Sequence, residues 1–449
     1  MRTLIKNGLL IDPASRTKAR LNLVLEDGKV AGITKEEPEA DEVIDAAGLA
    51  VAPGFLDIHM HEDPVGADGR IEVCILETMA KMGVTTVLGG NCGDNMYHPV
   101  KYLDLVDRDG APVNVAMLAG HTWFREHVGA KDKYAEITAE QLERMKTEMA
   151  EALTGGLAGV SFGIRYVPGT TQAELEAIAG LCVKDDRLAA AHIRDDAAMV
   201  CPSAREFLDV AVKFGLSAEL SHIGSMAGFG QMEEFLQLID TYRMNGLRVL
   251  CDCYPYYAFS TGIGSATYDE GFLERYHTDY SSIELCEGKY KGQRCTKEIF
   301  DEMRRDFPEA LTVCCVMQPE EVDLALSDRG VMVASDGVLD RGQGHPRAAG
   351  AFPRVFAEFV RTGKLSLDEA IEKMTAMPAD KLGLKNKGRL SVGADADLVL
   401  FDPAAIADRA DFVEPLLAPA GIARVIIGQK TAVRDGRLVD GTLGRSVRF

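Results

Sequence analysis

Between residues 54 and 336, short apolar strands alternate with amphipathic helical stretches, and this rhythm restricts the fold more than any other feature of the chain. Eight strand candidates can be read, at residues 54–61, 85–92, 113–121, 157–163, 189–194, 217–223, 248–256 and 331–336. Eight βα units predict an α/β fold with a parallel sheet closed into a TIM-type (β/α)8 barrel. Seven of the eight strands finish in or beside a chemically active residue: His59 and His61, Cys92, His121, His192, His222, Tyr254 with Tyr256, and Asp336. Functional groups of such barrels gather where the strands end, so these side chains are expected to converge.

A chain of 449 residues with 47% hydrophobic residues can bury a core of this size. The seventh and eighth strands are separated by residues 258–330, far more than one helix needs, which predicts a small insertion around 262–305. Before residue 53 and after 385 the texture changes to short alternating bursts broken by Asp-Gly and Asp-Pro turns. The two ends are therefore expected to build one discontinuous β sandwich. The implied division is 1–52 (sandwich, first part), 53–385 (barrel) and 386–449 (sandwich, second part).

The formal net charge of −20 argues against nucleic acid as a partner, because that binding needs Lys and Arg to neutralise phosphates. No apolar run approaches the length that spans a bilayer, and the first twenty residues carry charges at Lys6, Asp12, Arg16, Lys18 and Arg20 among others and no signal-like stretch. Ten cysteines without framework spacing fit buried thiols in a reducing compartment. A cytoplasmic location with no membrane contact is expected, and a homo-oligomer is left open.

Residues two apart on a strand point to the same side, so His59 and His61 can grip one metal ion. Cys92, between Asn91 and Gly93 at a strand end, is a suitable thiolate ligand for zinc. Asp336 closes the eighth strand, where a carboxylate can take a proton from water activated by the metal, whose pKa zinc lowers to about 7.

Pro53 to His61 resembles the first metal motif of the amidohydrolase superfamily, and Gly388 to Val399 its return into the β sandwich. Further motifs resemble the N-acyl-D-amino-acid deacylase (D-aminoacylase) family: Gly90-Asn91-Cys92-Gly93, Gly120-His121, Ala191-His192-Ile193-Arg194, Ser221-His222, Tyr254-Pro255-Tyr256, Ser335-Asp336-Gly337 and His345-Pro346-Arg347. The resemblance implies a zinc-dependent hydrolase cleaving the amide bond of small N-acyl-D-amino acids, with Zn2+ as one or two ions. It implies one site at Cys92, His192 and His222, and a second at His59, His61 and Asp336 that shares Cys92. Asp336 would be general base and then general acid.

A substrate of this kind carries a carboxylate, for which Arg347 is the candidate cation, expected in a Gly-rich loop. Tyr256 and Tyr166 are candidate hydroxyl donors, and His121 a candidate substrate contact or outer support of the metal. One position departs from the family, which frequently has Lys where this chain has Gly224. That departure predicts weaker acceptance of acidic side chains, and Met226 and Phe229 point to a more apolar pocket. Alternatives are a cyclic amide hydrolase, whose bridging Lys on the fourth strand is absent from residues 157–163, and a non-catalytic barrel scaffold.

Overall fold

The apolar stretches become eight parallel strands in a computed structural model that describes residues 1–449: β1 (Phe55–Asp57), β2 (Val84–Gly89), β3 (Asn114–Gly120), β4 (Gly159–Gly163), β5 (Leu188–His192), β6 (Ser217–Leu220), β7 (Arg248–Cys253) and β8 (Val331–Val333). They form one sheet in chain order. A parallel bridge between Met60 and Gly337 closes the barrel, with His61 N donating to Gly337 O at 2.9 Å and Asp336 N to His59 O at 2.8 Å. Strands this apolar are covered on both faces. Leu56, Leu88, Leu118, Ala190 and Met332 fill the interior, while Val87, Val115, Val160 and Val249 pack outward into the main core.

Several strands stop short of the expected ends. β1 ends at Asp57, β2 at Gly89, β7 at Cys253 and β8 at Val333, so His59, His61, Cys92, Tyr256 and Asp336 lie on the turns beyond. The reason is local: Cys92, His222 and Asp336 have φ of 54°, 36° and 46°, left-handed values that end a ladder and that side chains with a Cβ adopt at a cost.

The termini meet in two sheets. Arg2–Lys6, Asn22–Glu26, Lys29–Thr34 and Glu42–Asp45 form the first. In the second, Ala50–Pro53 pairs antiparallel with Leu398–Phe401, joining N-terminal strands to those after residue 397. Leu10, Leu23, Leu25, Leu400 and Ile426 pack together as the sandwich core. Between β7 and β8 the chain forms an antiparallel sheet of Phe259–Gly262, Ile283–Leu285 and Leu311–Cys314, with the helix Lys297–Asp306 between the last two of these strands in the chain. No helix is long and apolar enough to cross a membrane.

Candidate metal centre

The strand ends deliver six donors to one place. The ligand atoms of His59, His61, Cys92 and Asp336 all lie within 4.8 Å of one another, and so do those of Cys92, His192 and His222. Cys92 belongs to both groups. Its Sγ is 3.4 Å from His59 Nε2 and 3.3 Å from His222 Nε2, while Asp336 Oδ1 is 3.4 Å from His59 Nε2 and 3.3 Å from His61 Nε2. Donors around tetrahedral zinc stand about 3.5 Å apart, given bonds of roughly 2.0–2.3 Å, so these spacings fit a metal.

The Cys92 turn is held from below. Glu62 accepts hydrogen bonds from Gly90 N (2.9 Å) and Met96 N (2.9 Å), and Ser161 of β4 donates to Gly90 O and accepts from Gly93 N at 3.1 Å. Gly163 is required where β4 passes the turn, because a Cβ there would collide with the Cys92 carbonyl oxygen.

Electrostatics fit a bound cation. Burial pushes the Cys92 thiol well above its usual range, and the Asp336, Asp252 and Glu219 carboxyls push it further, so a thiolate here needs a positive partner. Burial holds the imidazoles of His59 and His222 down to about 4 and about 3, and that of His192 well below normal, leaving neutral rings ready to bind metal. His192 Nδ1 is buried with no hydrogen-bond partner. Burial alone would raise the Asp336 carboxyl, but the Arg347 guanidinium above all, with a hydrogen bond from His61, holds it well below the carboxylate range, so it stays ionised.

The other expected residues separate into two groups. Arg347 and Tyr166 join the cluster. Arg347 is not in an exposed loop: it is the first residue of the helix Arg347–Val355, buried, with its guanidinium 2.8 Å from Asp336 Oδ2 and 4.5 Å from the centre of the Tyr254 ring. Tyr166 sets its ring edge-on to His192 at 4.5 Å. Tyr256 and His121 are not brought to the cluster. The Tyr256 hydroxyl donates to Asp408 at 3.3 Å under Arg354, and Tyr254, one strand pitch earlier, takes the place beside Arg347. His121 begins the helix His121–His127 and is turned to Glu174 (2.9 Å), a carboxylate it shares with Arg125.

The cluster floors a cavity of about 610 Å3 that includes His61, Cys92, Asp336, Arg347, Lys131 and Lys133. A smaller chamber opens beside His192 and His222, and Tyr166, Ser260, Thr261 and Asp336 border both spaces. Ser260 and Thr261 come from the insertion, which thus roofs the barrel mouth. Met226 lines the small chamber, whereas Phe229 packs on Tyr276 at 4.9 Å. Gly224 is buried: a Cβ there would lie 2.9 Å from Cys253 Sγ and 3.2 Å from Met317 Cε, so Met317 fills the space next to it.

Several buried carboxyls escaped the sequence reading, among them Asp57, Glu219 and Asp252. Asp57 Oδ1 accepts from His59 N and Ser335 N, tying β1 to β8, and Asp252 reaches His59 and His222. Their signal was present, as lone acids inside apolar strands, where an ionisable side chain is rare without a partner.

Two matches to models of the "Amidohydrolase family" cover residues 42–181 and 319–439. The chain is 31% identical to an N-acyl-D-glutamate deacylase of Alcaligenes xylosoxydans xylosoxydans over 94% of its own length and 92% of the relative's. It is 30% identical to a D-aminoacylase of the same organism, over 94% and 93% of the two chains. A solved N-acyl-D-glutamate deacylase from Bordetella bronchiseptica, complexed with zinc and a phosphonate inhibitor, superposes with a TM-score of 0.88 at 30% identity, covering 100% of this chain and 99% of that one. With the barrel, the sandwich and the shared cysteine, these matches show that the chain belongs to the amidohydrolase superfamily and, within it, to the N-acyl-D-amino-acid deacylase family.

Proposed function

We propose that this protein is a zinc-dependent deacylase that hydrolyses N-acyl-D-amino acids to a carboxylate and a free D-amino acid. The observation that carries the reading is Cys92 standing between two donor groups, with the ionised Asp336 and the buried Arg347 paired beside it at the floor of a cavity. Cys92, His192 and His222 would hold one ion, and His59, His61, Cys92 and Asp336 a second. When bound, zinc lowers the pKa of water towards about 7 and polarises the amide carbonyl.

The protein's own groups do the rest. Asp336 accepts the proton of the attacking water and returns it to the departing amine as the C–N bond breaks. Arg347 offers parallel N–H donors to the substrate carboxylate, and its Nε is buried without a partner. Tyr166 borders both spaces and orients the acyl group. β4 (Gly159–Gly163) carries no Lys, the residue with which cyclic amide hydrolases commonly bridge two metals from the fourth strand, and this supports linear over cyclic substrates. We place the protein in the cytosol, since all ten cysteines are free thiols.

Dialysis against a chelator tests the reading: release of free amine from an N-acetyl-D-amino acid should cease and return on adding zinc. Unchanged activity in metal-free protein would remove zinc from the chemistry.

A further inference from the structure

Beneath the donor cluster lies a pair of buried acids. Asp252 stands in β7 between Cys251 and Cys253, and Glu219 stands in β6; both are at most 1% exposed. The two carboxyls and His59 have donor atoms within 4.8 Å of one another. Asp252 uses its two oxygens on different partners. Oδ2 is 2.9 Å from His59 Nδ1, and Oδ1 accepts from the backbone N–H of His222 at 3.0 Å. The first contact fixes the His59 tautomer with hydrogen on Nδ1, leaving Nε2 to face Cys92 and Asp336. The second pins His222 at the left-handed φ of 36°, a conformation that a histidine keeps only when its surroundings impose it.

Below Asp252, Glu219 is braced by Ser221 Oγ at 3.2 Å. Its Oε1 is buried without a hydrogen-bond partner, and one of its oxygens lies within 4.8 Å of an Asp252 oxygen.

We propose that Asp252 is the positioning residue that keeps the two halves of the donor cluster in register, one oxygen setting the ring of His59 and the other the backbone of His222 against the shared Cys92. Losing it would loosen both halves together, although it contacts neither a metal nor substrate. This role rests on reading the cluster as a metal centre.

The test uses the full-length protein and its Asp252→Ala and Asp252→Asn variants. Metal affinity is measured by competition with a chromophoric chelator, and donor geometry by the absorption spectrum of the cobalt-substituted protein. Asp252→Ala should weaken binding of zinc about 10–100-fold and shift the cobalt bands. Asp252→Asn keeps one acceptor oxygen and presents an amide N–H2 to the other partner, so its loss should be smaller and confined to one half of the cluster. Wild-type affinity and an unaltered cobalt spectrum in Asp252→Ala would overturn the role. Should Asp252→Ala fail to fold by circular dichroism, the isosteric Asp252→Asn decides in the same way. If the wild type binds neither zinc nor cobalt, the metal reading itself fails, and this role with it.

Discussion

At the scale of single residues, the geometry separates groups that sequence motifs list side by side. Asp336 and Arg347 are coupled at 2.8 Å, so each sets the other's behaviour. Asp336→Asn should lower kcat about 10²–10⁴-fold with the ion at Cys92, His192 and His222 retained, as expected when a general base is lost; full activity in the zinc-loaded variant would exclude Asp336 as the base. Arg347→Met should do two things. It should raise KM for carboxylate-bearing substrates, and it should move the acidic limb of the kcat/KM profile upward in pH, because the largest favourable influence on the Asp336 carboxylate is gone. An unmoved limb would show that Arg347 does not tune the base. His59, His61, Cys92, His192, His222 and Asp336 were legible because donors at strand ends of a barrel must converge. Tyr256 and His121 were misplaced because a strand end gives the neighbourhood of a side chain but not the direction of its hydroxyl or ring nitrogen; Asp408 and Glu174, distant in sequence, captured them.

At the scale of elements, what could not be read was how the chain leaves each strand. Periodicity gave eight strands, yet the left-handed turns at Cys92, His222 and Asp336 have no signature in residue types that normally avoid them. The helix Ile75–Lys81 after β1 shows a second such device: Asp63, rather than the residue before the helix, accepts its Ile75 and Leu76 N–H groups at 2.8 and 3.0 Å. Burial pushes the Asp63 carboxyl up to about 6. Since the unfolded value is about 4, its contribution to stability is complete below pH about 4 and declines as pH rises through about 6, by up to about 3 kcal/mol. Asp63→Asn should therefore flatten the fall in thermal midpoint between pH 4 and 7; an identical slope in both proteins would exclude this carboxyl. On the short helix Ile223–Ala227, Gly224→Lys should destabilise by about 1–3 kcal/mol through contact with Cys253 and Met317. Part of that loss should return with Met317→Ala in the same chain, a coupling that denaturant melts of the single and double variants would reveal.

At the scale of the whole molecule, the termini form a sandwich that carries the barrel, and the insertion roofs the barrel mouth where all six donors open. The barrel and sandwich were legible because their hydrophobic periods differ, continuous in strands buried on both faces and alternating in sheets with one wet face. That Ser260 and Thr261 border the cavity was not legible, because it depends on how the insertion folds back over the barrel. Shape, donors and kinship all point to hydrolysis of a linear amide next to a carboxylate. The most direct measurement is release of free amine by the zinc-loaded protein across matched N-acetyl-D- and N-acetyl-L-amino acids, with hydantoin and dihydroorotate alongside. Turnover of the N-acyl-D-amino acids, abolished in Cys92→Ala, is the expected result. Turnover restricted to the L-series or the cyclic amides, or undiminished in Cys92→Ala, would contradict it.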